Sequence, residues 1–82
     1  MPAARGAPRA SAAEERAARK ELQRLERQLD RLSVRETELT DLLAANATDY
    51  EKLTTLGAEL RAVQQEKADL EDRWLTLAAG LE

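Results

Sequence analysis

Leucines recur along most of the chain at alternating steps of three and four residues, the spacing of an a/d heptad seam on an α-helix. A first run of this spacing extends from Leu22 to Leu43, and a second extends from Leu53 to Leu81. Each run contains one charged residue at a seam position, Glu36 in the first and Lys67 in the second. The pattern predicts two long amphipathic helices, each with one apolar stripe that packs against another helix.

The pattern breaks between the two runs, at "AANATDYE". Asn46 suits a helix end because asparagine tolerates a left-handed backbone, and Thr48 with Glu51 has the spacing of a capping box that starts a new helix. Ser11 with Glu14 has the same spacing before the first run. The predicted coiled-coil domain covers residues 12–82, with a helix over 12–45, a turn at 46–48 and a helix over 49–79.

A turn this short places the second helix beside the first, which predicts an all-α fold, a two-helix antiparallel coiled-coil hairpin. In such a pair, a positions face d positions, and one register gives nearly every apolar seam residue an apolar partner, with Leu25 facing Trp74. A register slipped by one heptad would place Trp74 against Ala18 and leave Leu43 without a partner, so we expect the first. The residues expected to anchor the fold are Leu25, Leu29, Leu70, Trp74 and Leu77.

The expected register also places the charged residues of the seam. Glu36 and Lys67 fall in neighbouring layers, where their side chains can meet at the edge of the seam, and Arg35 falls opposite Glu66. Polar seam residues more often fix register and partner number than act as a regulatory switch. Tyr50, just after the break, is expected to cap the end of the hairpin with its ring while its hydroxyl stays in water.

The chain before Ser11 has a different composition. It mixes two prolines, a glycine, alanines and two arginines, with no apolar periodicity. This composition predicts a flexible linker over residues 1–11.

Composition excludes several classes of function. The 82 residues include no cysteine and no histidine, which rules out disulfides, thiolate metal sites and a histidine base. No phosphate-binding glycine loop is present, so we expect a chain without enzymatic activity, metal or cofactor of its own. No apolar run approaches the roughly 18 residues of a membrane span, and we expect a soluble, cytoplasmic protein.

Charge is unevenly distributed along the chain. The net charge is −3, yet residues 1–20 hold five bases against two acids. Six of the bases between Arg16 and Arg35 recur at steps of three and four and form one stripe along the first helix, where arginine forks could follow a phosphate backbone. The neighbouring acids would partly neutralise this stripe. The candidate nucleic-acid-binding residues are Arg16, Lys20, Arg24, Arg27, Arg31 and Arg35.

The order of these features resembles a known family. "RKEL" at Arg19–Leu22 precedes a heptad helix, a break with Tyr50, a second heptad helix and then "DRW" at Asp72–Trp74. This order resembles the C-terminal coiled-coil domain of ABC-F ATPases, soluble tandem-cassette proteins that act on ribosomes, and is nearest to the Uup-type members. The family's signature has glutamate where this chain has Asp72.

The resemblance implies a non-catalytic C-terminal module of a larger ATPase, whose ATP and magnesium would bind in domains outside this chain. It also implies binding to DNA, ribosomal RNA or the ribosome through basic residues, here the stripe on the first helix, with weak binding by the isolated chain. The expected hairpin is monomeric. Two alternatives remain open: a purely structural or self-associating coiled coil, and the helical arm of another RNA-binding protein, such as that of a seryl-tRNA synthetase.

Overall fold

The structure is a computed structural model that describes residues 11–81. These residues form two antiparallel helices. Helix α1 spans Ala12–Ala45 and helix α2 spans Tyr50–Gly80. Polar contacts join early residues of α1 to late residues of α2, as an antiparallel hairpin requires. The predicted all-α hairpin is confirmed. The linker predicted for residues 1–11 lies outside the described residues except for Ser11.

The first turn of α1 is closed by a capping box. Ser11 Oγ accepts a hydrogen bond from the Glu14 amide at 3.1 Å, and the Ser11 amide donates to Glu14 Oε1 at 2.8 Å. The predicted capping box is therefore confirmed, and Ser11 is the N-cap of α1 rather than a linker residue. Such a cap contributes about 1 kcal/mol to helix stability because it satisfies amides that have no partner within the helix.

The turn between the helices differs in detail from the prediction. Asn46 ends α1, but its backbone is not left-handed (φ −117°, ψ 33°), and its side-chain amide instead donates to the Leu42 carbonyl at 2.8 Å. The N-cap of α2 is Asp49 and not Thr48, because the Asp49 carboxylate accepts from the Lys52 amide at 3.1 Å. A charged cap is also favoured by the helix dipole. The turn consequently covers residues 46–49, and α2 runs from Tyr50 to Gly80 instead of over 49–79.

Burial follows the heptad seam. Leu25 and Leu39 are fully buried and Val63 is 8% exposed. Two helices enclose a seam from two sides only, so most other seam residues keep an open edge. Among the predicted anchors, Leu25 is fully buried. The other four are half-buried: Leu29, Leu70, Trp74 and Leu77.

The contacts between the helices identify the register. Lys67 Nζ donates to Glu36 Oε1 at 2.9 Å, and the Trp74 indole N–H donates to Glu26 Oε2 at 3.1 Å. Glu36 and Lys67 lie in adjacent layers of the register that faces Leu25 with Trp74. The slip that places Trp74 against Ala18 would separate them by about 16 Å along the helix axis, which is too far for an ion pair. The observed register is thus the expected one.

Glu36 and Lys67 form a polar layer within the apolar seam. Their side chains are 28% and 25% exposed, and Gln64 Nε2 also donates to Glu36 Oε2 at 3.2 Å. The hydrogen bond from Lys67, followed by that from Gln64, lowers the pKa of Glu36, and the same bond to Glu36 raises the pKa of Lys67. Because each charge needs the other, registers that separate them are disfavoured.

Candidate nucleic-acid interface

The basic stripe lies mainly on the face of α1 that points away from α2. Amphipathicity directs the apolar a and d positions of α1 to the seam and its b, c and f positions to solvent. Five of the six candidate residues occupy these outer positions, and the sixth, Arg35, occupies a g position at the flank of the seam. The five exposed residues are Arg16, Lys20, Arg24, Arg27 and Arg31.

These five bases form a continuous positive face, which we call the basic face. It extends about 22 Å from Arg16 to Arg31, at 1.5 Å per residue. Asp30 is the single acid among the outer b, c and f positions of this stretch. The basic face is therefore positively charged although the whole chain has a net charge of −3.

Members of the basic face differ in their partners. Arg24 donates three hydrogen bonds to the Glu21 carboxylate, at 3.0, 2.8 and 2.8 Å. This pair occupies part of the Arg24 guanidinium and neutralises part of its charge. Within residues 11–81, four members have no carboxylate within 4.0 Å of their charged groups and are open to an anion from solution: Arg16, Lys20, Arg27 and Arg31.

Arg35 is engaged within the hairpin. Its Nε donates to Glu59 Oε2 at 3.1 Å, and its Nη1 donates to Glu38 Oε1 at 3.2 Å. The bond to Glu59, followed by that to Glu38, raises the pKa of Arg35. The prediction that Arg35 pairs with Glu66 is wrong. The Arg35 guanidinium lies toward Glu59 instead, where it reaches the carboxylates of Glu59 and Glu38 at once. Arg35 therefore connects the helices and lies apart from the basic face.

A second charge network closes the open end of the hairpin. Arg73 Nη2 donates to Glu21 Oε2 at 3.1 Å, so the Glu21 carboxylate holds Arg24 on its own helix and Arg73 on the other. The heptad register places Gln28 at the g position nearest Arg73, but Arg73 reaches the g position one heptad earlier, at Glu21. The pair between Glu21 and Arg24 could be predicted from the sequence, because residues three positions apart are neighbours on the surface of a helix. No comparable sequence pattern predicts the hydrogen bond from Arg73 to Glu21 between the two helices.

A family model for the ABC transporter C-terminal domain matches residues 13–79, which span nearly all of both helices. The chain belongs to the ABC transporter C-terminal domain family. This match confirms the recognition made from the basic start, the break and the Arg-Trp ending. Comparisons with curated proteins and with solved structures gave no match.

In this ABC transporter C-terminal domain, the "DRW" signature has a structural role. Arg73 binds Glu21, and the half-buried Trp74 donates its indole N–H to Glu26. Both bonds cross from α2 to α1 at the open end. The signature thus ties the two helices together where no turn connects them.

Tyr50 lies at the opposite end of this ABC transporter C-terminal domain and does not cap it. The residue is 82% exposed, so the expectation of a capping ring is wrong. As the first residue of α2, Tyr50 lies outside the seam, which begins at Leu53. Its side chain is therefore available to a partner.

The described part of the domain is a two-helix module without a catalytic domain. Within residues 11–81, no three potential ligands are grouped closely enough to hold a metal ion. Neither α1 nor α2 contains a stretch long and apolar enough to cross a membrane.

Proposed function

We propose that this C-terminal module binds the phosphate backbone of DNA or ribosomal RNA through the basic face of α1, and so positions a soluble ABC-F type ATPase on nucleic acid or the ribosome. The observation that carries the proposal is the set of exposed bases that have no carboxylate partner within residues 11–81: Arg16, Lys20, Arg27 and Arg31. ATP and magnesium would bind elsewhere in such an ATPase. In the proposal, the hairpin acts as a monomer in the cytoplasm.

Geometry and charge support backbone contact over base readout. The four bases lie on one helical face about 22 Å long, and each can donate to phosphate oxygens. The basic face has no aromatic side chain, and aromatic rings are what hold unstacked bases in most single-strand binders. The proposed contact is therefore electrostatic, independent of sequence and sensitive to salt.

Competition within the chain accounts for the weak binding expected of the isolated module. Glu21 holds Arg24, and Arg35 is bound to Glu38 and Glu59. Phosphates would have to displace these carboxylates to recruit either arginine. The binding energy consequently depends on the unpaired bases.

The experiment is a fluorescence-anisotropy titration of a labelled DNA duplex and of a ribosomal RNA hairpin of equal length, at about 50 mM salt. The double variant Arg27→Glu with Arg31→Glu is expected to lose binding to both probes by at least about tenfold, because two phosphate contacts become repulsive. Circular dichroism checks that the variant remains helical, which we expect since both side chains are exposed.

The matched control places the same charge change on α2. Lys52 and Arg61 are also exposed and have no carboxylate within 4.0 Å inside the described residues. The double variant Lys52→Glu with Arg61→Glu is expected to weaken binding by less than about threefold, because the change in net charge acts only at long range. Equal losses in both double variants would mean that net charge, and not the basic face, governs binding, and would overturn the proposal.

A further inference from the structure

The end of the hairpin opposite the chain ends, residues 38–56, which we call the tip, exposes apolar side chains. Tyr50 is 82% exposed and Leu42 is 40% exposed. A shallow groove beside Leu42 is walled by Asn46, Lys52 and Leu56. Both side chains are exposed at the same end of the hairpin, and tyrosine is enriched at binding hot spots.

The tip is acidic. It holds four carboxylates and one lysine, Lys52. Two of the carboxylates are engaged, since Asp49 caps α2 and Glu38 binds Arg35. The other two, Asp41 and Glu51, are exposed and have no cation within 4.0 Å inside residues 11–81.

The tip is also separate from the basic face. Arg31, the last residue of the basic face, precedes Glu38, the first residue of the tip, by about 10 Å of helix and Ala45, the end of α1, by about 21 Å. Ser11 and Leu81 both lie toward the other end of the hairpin. A nucleic acid bound along the basic face would leave the tip uncovered, and the acidic charge of the tip opposes phosphate.

We propose that the tip docks on a protein with a lysine- or arginine-rich surface. Tyr50 packs its ring against apolar side chains of the partner, and Asp41 and Glu51 pair with its basic residues. Charge complementarity selects this class of partner over nucleic acid. The inference goes beyond the proposed function, because it concerns the other end of the hairpin and stands whether or not the basic face binds phosphate.

The experiment uses the full chain, labelled with nitrogen-15, and a short synthetic peptide of lysine, leucine and alanine. Its control peptide has glutamate in place of every lysine. Amide shift changes caused by the basic peptide are expected to concentrate in residues 38–56 and to be absent with the acidic peptide. Tyr50→Ala is expected to weaken the Kd by at least about fivefold, as loss of an interface anchor does. The variant should keep its helicity because the ring is exposed.

Two charge-matched double variants separate specific docking from general attraction. Asp41→Asn with Glu51→Gln is expected to weaken the Kd by about threefold, since each exposed pair contributes modestly. Asp69→Asn with Asp72→Asn removes the same charge from the outer face of α2 and should change the Kd by less than about 1.5-fold. Equal losses in the two variants, shift changes spread along α2, or shift changes at the tip with a DNA duplex in place of the peptide would each overturn the proposal.

Discussion

Trp74 is the largest side chain in the seam, and its environment determines how much it stabilises the hairpin. The residue is half-buried and bonds through its indole to Glu26 at 3.1 Å. Leu29 lies beside the ring, and Leu25, which faces Trp74 in the register, is fully buried. A ring that is only partly enclosed contributes less than a fully buried one, because part of its surface stays in water.

Replacing Trp74 with alanine is expected to lower the free energy of unfolding by about 2 kcal/mol, below the 3–5 kcal/mol typical of fully buried tryptophan. Urea unfolding followed by circular dichroism measures the change. Tyr50→Ala is the matched aromatic control, and we expect a change within about 0.5 kcal/mol because that ring is exposed. Similar losses in both variants would contradict the anchoring role of Trp74.

Gly57 is a weak position in α2 that can be improved. It lies inside the helix with an ordinary helical backbone, and an added Cβ would meet only Arg61 Nη1, at 3.7 Å. Gly57→Ala is expected to raise the free energy of unfolding by about 0.5–1 kcal/mol, because alanine restricts the unfolded chain. Thermal unfolding measures this, with Gly80→Ala at the end of α2 as a control of smaller effect. A lower melting temperature for Gly57→Ala would mean that the position is more crowded than it is in the structure.

At the scale of the helices, the polar layer makes stability depend on pH. Lys67 lowers the pKa of Glu36 from its ordinary value of 4.5, so the carboxylate stabilises the fold above that pH and loses its contribution as pH falls through the lowered pKa. Glu36 raises the pKa of Lys67 from 10.5, so that contribution is present below 10.5 and is lost as pH rises through the raised pKa. The layer is therefore charged and paired between these limits.

The variant Glu36→Gln is expected to be less stable than the wild type at pH 7 and to lose less stability on acidification to pH 3, because it has no carboxylate to protonate in the seam. Melting temperatures at the two pH values measure this. Glu66→Gln is the control, since Glu66 is exposed and has no cation within 4.0 Å in the described part of the chain. An acid-induced loss for Glu36→Gln equal to that of the control would contradict a stabilising polar layer.

The helices and their register could be predicted because apolar burial is repeated at every layer. Every step of three or four residues along the seam supports the same register. A slip of one heptad would place Trp74 against Ala18 and would leave Leu43 without a partner. Single polar contacts have no such repetition. Arg35 pairs with Glu59 and not with Glu66, and the N-cap of α2 is Asp49 and not Thr48. In each case the alternatives differ by small energies, so the sequence pattern does not decide between them.

The candidate site was predictable to a similar degree. The helical period places the outer bases of α1 on one face, and five of the six candidates are indeed exposed there. The helical period does not show which bases are paired with carboxylates. The ion pairs of Arg24 and Arg35 could therefore be identified only from the positions of the side chains. The exposure of Tyr50 also depended on where α2 begins relative to the seam.

At the scale of the whole molecule, the basic face and the acidic tip occupy different parts of the hairpin. Its basic face lies in the half of α1 nearer the chain ends, and its acidic tip lies at the turn. The charge network around Glu21 holds the helices together at the open end, and the polar layer around Glu36 holds them together between the basic face and the tip. Under the two proposals, the hairpin would present one surface to nucleic acid and the other to a basic protein.

The most direct test of the account is the salt dependence of binding to a DNA duplex. Four unpaired bases contacting four phosphates predict a slope of about −3.6 for the logarithm of the association constant against the logarithm of salt concentration. The variant Arg27→Ala with Arg31→Ala should reduce the slope to about −1.8, and Lys52→Ala with Arg61→Ala should leave it unchanged. A slope that Arg27→Ala with Arg31→Ala does not change, or no measurable binding at about 50 mM salt, would contradict a phosphate-binding role for the basic face.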